Sequence, residues 1–461
     1  MRLLSCLLLV LAFFVSSQSE AAVIKNVRSG AYEEKTRIVL DLDDIAQYTQ
    51  SMTGNRLIVN IDADAARENV LYPKGELVQK VTVQKNGVGK TRLSVDLAEE
   101  PGNYKIFALK SPQRLVIDFY KYARSKQVTE VEPGLRYISW RDYQNNKPVW
   151  LHVLEVDPGN GYELRPILGQ PDSIDKGRLS AATQQAGALA AINASYFDKT
   201  KWIIGNLKID DEWVSCDFTP RTALIIGRDG KPKIMPELSY EGRVTRTDGK
   251  SAEITGMNRE RQTNELILYN SYYGKNTGSN KFGREVRIAN GVVTEIGKNG
   301  SLPLRPGSLV LSGHGAGAEF LKTLRRGNRL DIKQTLAQNE ADEAKHVVGA
   351  GPLLVVGGKA RVMAAEEQFP ADIVRGKAPR TAVGVKADGG LLLVVVEGRT
   401  QASAGLTLEE LAGYMIKLGA AEAMNFDGGG SSEMVLNSKI VNYLSDGSER
   451  LVRAGLGLFK H

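Results

Sequence analysis

Histidine and cysteine, which build most catalytic metal centres and nucleophile triads, are scarce here: 461 residues include four histidines and two cysteines. His152, His314, His346 and His461 are dispersed and no HExxH run occurs, which excludes a histidine-built zinc site. Cys6 lies in the N-terminal apolar run and is expected to leave with it, so Cys216 has no partner for a disulfide. With no histidine near it in sequence, Cys216 reads as a buried, inert thiol. No GxSxG elbow is present. The net charge is +7, yet no dense Lys/Arg run is interleaved with aromatics, so nucleic acid is not an expected partner. A basic exported chain suits anionic wall polymers or phosphorylated glycans instead.

Apolar runs of spanning length are missing too. Leu3–Val15 follows Met1-Arg2 and is too short to cross a bilayer. Small and polar residues come next, with Ser19-x-Ala21 as a cleavage site, so residues 1–21 read as a secretory signal. The expectation is a chain secreted across the inner membrane, periplasmic or envelope-associated, with no transmembrane segment after signal removal.

Glycine, by contrast, is abundant at 47 residues and favours many turns between strands. Residues 22–120 repeat themselves. Lys35-Thr36-Arg37-Ile38-Val39-Leu40-Asp41 recurs as Lys90-Thr91-Arg92-Leu93-Ser94-Val95-Asp96, and Asn55-Arg56-Leu57-Ile58-Val59 as Gln113-Arg114-Leu115-Val116-Ile117. Each copy is β-branched and near-alternating, which predicts a small all-β domain of two sheets. Residues 121–131 are polar and read as a linker, and 132–461 as one larger domain mixing sheets and helices. The fold class is thus mixed α+β/α/β behind an internally duplicated β domain. Val347-Val348-Gly349-Ala350-Gly351-Pro352 imitates a dinucleotide fingerprint, but Leu354 stands where its third glycine belongs, and a hairpin fits better.

The larger domain is organised around Gly389–Val435. Leu391–Val396 is the apolar run of a strand buried on both faces. Thr407 and Glu410 stand at capping-box spacing before an apolar stripe of helical period, Leu408, Leu411, Ala412, Met415 and Leu418. Ala421–Phe426 is a second strand, broken by Asp427-Gly428-Gly429-Gly430-Ser431-Ser432. As a βαβ unit this places Glu397 and Asp427 at one carboxyl edge, where open α/β sheets bind ligands. If one strand lies between theirs, the spacing is about 10 Å, near the range of a glycoside-cleaving carboxylate pair. Pro220-Arg221-Thr222-Ala223 echoes Pro379-Arg380-Thr381-Ala382, and neither arginine is needed for the hairpin. Arg380, and with it Arg221, is therefore a candidate anion ligand. His314, in a glycine-rich setting, is the one histidine placed to reach a ligand.

Arg380-Thr381-Ala382, Glu397-Gly398-Arg399, Gly405-Leu406-Thr407, Glu410-Leu411-Ala412 and Asn425–Ser432 resemble the phosphodiester glycosidase family, whose animal member is the uncovering enzyme acting on N-acetylglucosamine-1-phosphodiesters. Asn193–Asp198, Gly349-x-Gly351-Pro352, Ser445-Asp446-Gly447 and Glu449-Arg450 match further blocks, and the resemblance spans about 130–460. Ala194 and Leu444 depart from the pattern, as does the lack of the animal enzyme's disulfides. Residues 22–120 resemble the AMIN domain, which implies a module that localises the protein, with peptidoglycan a candidate partner. The resemblance implies an exported hydrolase that cleaves a sugar-1-phosphodiester, of the α-GlcNAc-1-phosphate type, in an envelope glycan or wall polymer, with exopolysaccharide among the glycans in view.

In that reading Arg380 and Arg399 clamp the phosphate, and N–H groups from Gly428, Gly429, Gly430, Ser431 and Ser432 cradle it. Asp427, then Glu397, is the candidate catalytic carboxylate, while Asn193 and Asp198 bind sugar hydroxyls. No cofactor is expected to be required, although Asp427 and neighbouring oxygens could hold Ca²⁺ or Mg²⁺. The alternative is a non-catalytic envelope factor that holds anionic glycan.

Overall fold

A computed structural model describes residues 21–460 apart from 33–34, 76, 99–100, 102, 123, 146, 298–299 and 338–342. The expected signal segment, save its last residue, lies outside the described residues. Contacts divide the chain into two units, residues 1–123 and 124–461.

The first unit is two five-stranded sheets around one core. The duplicated segments exchange partners: Lys35–Leu42 pairs with Arg114–Tyr120 of the second copy, and Arg56–Ile61 with Thr91–Leu97. Each sheet therefore mixes both copies. Alternation points Ile38, Leu40, Leu57, Val59, Leu93, Val95, Leu115 and Ile117 into the shared core. A buried ion pair lies on the other face of the same strands. Asp118 receives Lys35 Nζ at 3.0 Å and Arg37 Nε and Nη2 at 2.6 and 2.8 Å. Burial opposes its charge, but the two cations hold its carboxyl below the usual range.

The second unit is mostly β-sheet with a few short helices, more strand-rich than the mixed expectation. Its eight-stranded sheet runs in the order Ser125–Glu132, Leu135–Gln144, Lys147–Val156, Leu391–Val396, Arg380–Lys386, Ala420–Asn425, Leu353–Val356 and Lys359–Ala360. The expected linker at 121–131 is corrected here, because Ser125–Glu132 is the edge strand of this sheet, paired antiparallel with Leu135–Gln144. The hairpin at Gly357-Gly358 replaces the imitation dinucleotide fingerprint.

The organising stretch folds as a split crossover. Arg380–Lys386 lies between Leu391–Val396 and Ala420–Asn425 and runs antiparallel to both, so those two are parallel to each other. The amino end of the Arg380 strand thus meets two carboxyl ends at one edge. Helix Leu408–Lys417 opens with the full capping box: the Thr407 hydroxyl accepts from Glu410 N, and the Glu410 carboxylate from Thr407 N. Alternation along Leu391–Val396 then divides the sheet's faces. Leu392, Val394 and Val396 pack under the helix with Leu408, Leu411 and Met415. Leu391, Leu393 and Val395 face Ile192, Met434 and Leu456 of a second, five-stranded sheet.

Replacing Asp118 by Ala leaves Lys35 buried without its counter-charge, which typically costs about 3–5 kcal/mol. A urea titration of the full chain should show the transition of the first unit moved to markedly lower denaturant; an unchanged midpoint would mean the pair is not holding these sheets.

Candidate active site

The edge where the three strand ends meet opens into a cavity of about 230 Å³. Asp427, Gly428, Gly429, Gly430, Arg380, Arg399, Arg450, Tyr196 and Asp372 are among its lining residues. The backbone of Asp427 is clamped from both sides: its N–H donates to Ala194 O at 2.8 Å, and its carbonyl accepts Asn193 Nδ2 at 2.6 Å. The half-buried carboxyl has a pKa pushed up to about 6. Burial is the main cause; the Ser431 hydroxyl, the Arg450 charge and the Gly428 N–H pull the other way.

The three arginines differ in how much of their charge is committed. Arg380 is 3 % exposed and spends Nε on Leu406 O and Nη2 on Ile373 O and Gly376 O, at 2.7–2.9 Å. Its bidentate edge is thus used inside the protein, which corrects the expectation of a two-point phosphate clamp there; Nη1 remains. Arg399 is exposed and, among the described residues, makes no hydrogen bond or ion pair. Its backbone is left-handed at φ 62°, a conformation that costs a non-glycine residue about 1–2 kcal/mol. Its guanidinium lies over Gly429, where a Cβ would come within 3.2 Å of Nη2. Arg450 is paired with Asp446.

The glycine turn is a narrower donor set than the sequence suggested. The N–H groups of Gly429, Ser431 and Ser432 are taken by Pro379 O, Gly428 O and Gly429 O. Of the five expected cradle donors, only those of Gly428 and Gly430 escape such backbone pairing. The Ser432 hydroxyl is buried without a partner, while that of Ser431 lies against the Asp427 carboxyl. Other buried side-chain polar atoms without a protein partner lie on Ser195, Asp198, Asn425, Ser445 and Arg453. Each such group costs about 1–3 kcal/mol if nothing meets it. None of these residues lines the cavity itself.

The other expected site residues are placed as follows. Glu397 does not line the cavity. It continues the alternation of Leu393 and Val395, turns to the opposite face, and is 3 % exposed. There Oε1 accepts Tyr443 N at 2.7 Å and meets His152 Nε2 at 2.8 Å, while His152 Nδ1 meets Tyr137 Oη at 2.6 Å. Asn193 is 1 % exposed, and its amide is consumed by Asp427 O, Thr381 Oγ1 and Glu433 N. It positions Asp427, and at 1 % exposure it does not reach the cavity to meet a sugar hydroxyl. Asp198 accepts the Thr200 hydroxyl through Oδ2, with Oδ1 unpartnered, outside the cavity. Arg221 stacks on Phe369 at 4.8 Å, and Phe369 packs on Tyr196, so it stands one ring behind the cavity wall. His314 follows the Ser308–Gly313 strand of a different sheet, and nothing from that sheet lines the cavity.

Tyr196, Asp372 and Arg450 were not singled out from the sequence. Tyr196 and Arg450 lie within quoted motif blocks, which was the available signal; Asp372 carries none. Beyond the glycine turn, two carboxyls face each other. Glu433 is 2 % exposed, and burial together with the facing Glu449 carboxylate pushes its pKa up to about 9. Glu449 is in turn held by the Ser180 N–H and hydroxyl, both at 2.8 Å. Among the described residues no group of three or more His, Cys, Asp or Glu is arranged to hold a metal ion.

Residues 282–459 match the phosphodiester glycosidase family, and this part of the chain is a phosphodiester glycosidase domain. The match is shorter than the resemblance read from sequence and stops short of Asn193. The bovine N-acetylglucosamine-1-phosphodiester alpha-N-acetylglucosaminidase is 43 % identical over 67 residues, which is 14 % of this chain and 12 % of that protein. The chain thus aligns with about an eighth of the curated relatives it matches. Two solved structures share the fold. A hypothetical protein of Synechocystis is 22 % identical, with 96 % of this chain and 81 % of that one covered at a TM-score of 0.67. A protein of Burkholderia pseudomallei K96243 is 21 % identical, with 90 % and 96 % covered at a TM-score of 0.59.

Glu433 holds its proton in the fold up to about pH 9 and loses it at its ordinary value of 4.5 when unfolded. The folded state therefore binds the extra proton between these values, and stability falls as pH rises through that window. Glu433→Gln should flatten the dependence, so its melting temperature gains on the wild type from acid to mildly alkaline pH. Parallel melting curves across the window would count against the buried-proton assignment.

Proposed function

We propose that the protein is an exported hydrolase that cleaves a sugar-1-phosphodiester, of the α-N-acetylglucosamine-1-phosphate type, in an envelope glycan or wall polymer. The observation that carries this is Asp427, a carboxyl tuned to about 6, set beside the unpaired Arg399 and the remaining Nη1 of Arg380. The family match and the animal relative's name supply the reaction class.

In this reading Arg399 and Arg380 Nη1 hold the non-bridging phosphate oxygens, and the Gly428 and Gly430 turn lets the phosphate approach closely. Charge held this way makes the phosphate a good leaving group, so the bond between the anomeric carbon and the bridging oxygen breaks and the electron pair goes to the phosphate. Asp427 acts ionised, as base toward the incoming water or as nucleophile toward the anomeric carbon; both roles need the same charge. Glu397, fixed by His152 and Tyr443 N, positions the loop that carries Arg450. No cofactor is required in this reading.

The AMIN-like character of residues 22–120 and the signal-like 1–21 support placement in the periplasm or envelope, with peptidoglycan a candidate partner of the first unit. No helix among the described residues is long and apolar enough to cross a membrane. The basic charge and duplicated first unit also favour a second reading, a non-catalytic factor that holds anionic glycan.

An assay on a GlcNAc-1-phosphodiester decides between them. The expected result is free sugar plus phosphomonoester, with kcat/KM rising through pH about 6 as Asp427 ionises, and activity retained in chelator. Asp427→Asn should lower turnover by about 10²–10⁴ with an unchanged circular dichroism spectrum. Near-normal turnover would remove Asp427 from the mechanism, and absence of product across a panel of sugar phosphodiesters would favour the binding factor. Loss in chelator, restored by Ca²⁺ or Mg²⁺, would add a metal.

A further inference from the structure

One ion pair of the cavity is placed oddly for an anion site. Arg450 Nε and Nη2 both donate to Asp446 Oδ2, at 2.8 and 2.5 Å. The pair lies directly on the glycine turn: a Cβ on Gly430 would stand 2.1 Å from Arg450 Nη2 and 2.2 Å from Asp446 Oδ2. The carboxylate therefore occupies the space above Gly430, at the rim of the cavity that Gly430 and Arg450 line. Arg450 lines the cavity together with Asp427, Arg380 and Arg399.

Three features say that Asp446 is held loosely. Its side chain is 33 % exposed and that of Arg450 41 %. Both arginine nitrogens bond a single carboxylate oxygen, so the fork-to-fork geometry that makes Arg–carboxylate pairs strong is not reached. A pair this exposed is worth about 0–1 kcal/mol. The segment that bears it is fastened on either side instead, by Tyr443 N on Glu397 and by Glu449 on Ser180. A phosphodiester brings two non-bridging oxygens and can take Nε and Nη2 one each.

We propose that Asp446 is a resident stand-in for the substrate's phosphate: it parks Arg450 over Gly430 in the empty site, and an incoming phosphodiester displaces it and takes over the guanidinium. This rests on the reading of the cavity as a phosphodiester site. The exchange makes entry selective. A monodentate carboxylate gains little by replacing Asp446, whereas a two-oxygen phosphate gains a bidentate contact. Once released, Asp446 turns to solvent, where its charge no longer opposes the anion.

Calorimetric titration of the full chain with inorganic phosphate tests this on wild type, Asp446→Asn, Asp446→Ser and Asp446→Asn/Arg450→Met. The expected result is about tenfold tighter phosphate binding in both single variants, as relief of one nearby like charge allows, and loss of that gain in the double variant. The serine variant guards against an asparagine amide that itself blocks the site. Binding that is unchanged or weaker in both single variants, undetectable in all proteins, or still tightened in the double variant would overturn the proposal. The cleavage assay is read separately. Cleavage without the phosphate gain refutes the stand-in and leaves the hydrolase standing; the gain without any cleavage does the reverse.

Discussion

The amide of Asn193 ties three segments of the second unit to one point. Its Nδ2 holds the carbonyl of Asp427, and its Oδ1 takes Glu433 N and the Thr381 hydroxyl. These partners come from the end of the 420–425 strand, the turn after it and the strand between the two parallel ones. Asn193 itself ends a strand of the facing sheet. A buried amide that makes three bonds resists displacement, because any shift leaves unpaired polar groups in a dry place. Asp427 is held through its own backbone N–H and carbonyl, and the arginines are arranged around the carboxyl it carries.

The second determinant is the period of two along a strand. Because Val395 and Val396 point to opposite faces of the large sheet, the next residue, Glu397, is sent to the side of His152 and Tyr443, away from the cavity. Two carboxyls that share a strand edge are thereby given different work. Asp427 faces the ligand space, and Glu397 holds the Tyr443 segment that leads to Asp446 and Arg450. Sharing an edge is therefore a weaker condition than sharing a face.

Much of this was legible in the residues, and what was not has physical reasons. The capping box at Thr407 and Glu410, the apolar run Leu391–Val396 and the duplicated strands were legible because each is a local pattern with one structural solution. The strand Ser125–Glu132 was read as linker because, at the edge of its sheet and largely exposed, it has no apolar alternation to show. The commitment of Arg380 to three carbonyls was invisible, since backbone acceptors carry no sequence signature. The same holds for the glycine turn, whose N–H groups close on their own neighbours. Glu433 and Glu449 are ordinary surface residues by type, and only the fold buries Glu433 and sets Glu449 against it.

In the proposed hydrolysis the bond broken joins the anomeric carbon to the phosphate oxygen, with the phosphate leaving under the hold of the arginines. Hydrolysis of a sugar-1-phosphodiester in ¹⁸O-labelled water, with both products read by mass spectrometry, tests it most directly. The label is predicted on the sugar's anomeric hydroxyl, with the released phosphomonoester unlabelled. Label on the phosphate would mean attack at phosphorus, and would contradict the role given to Asp427 and its cavity.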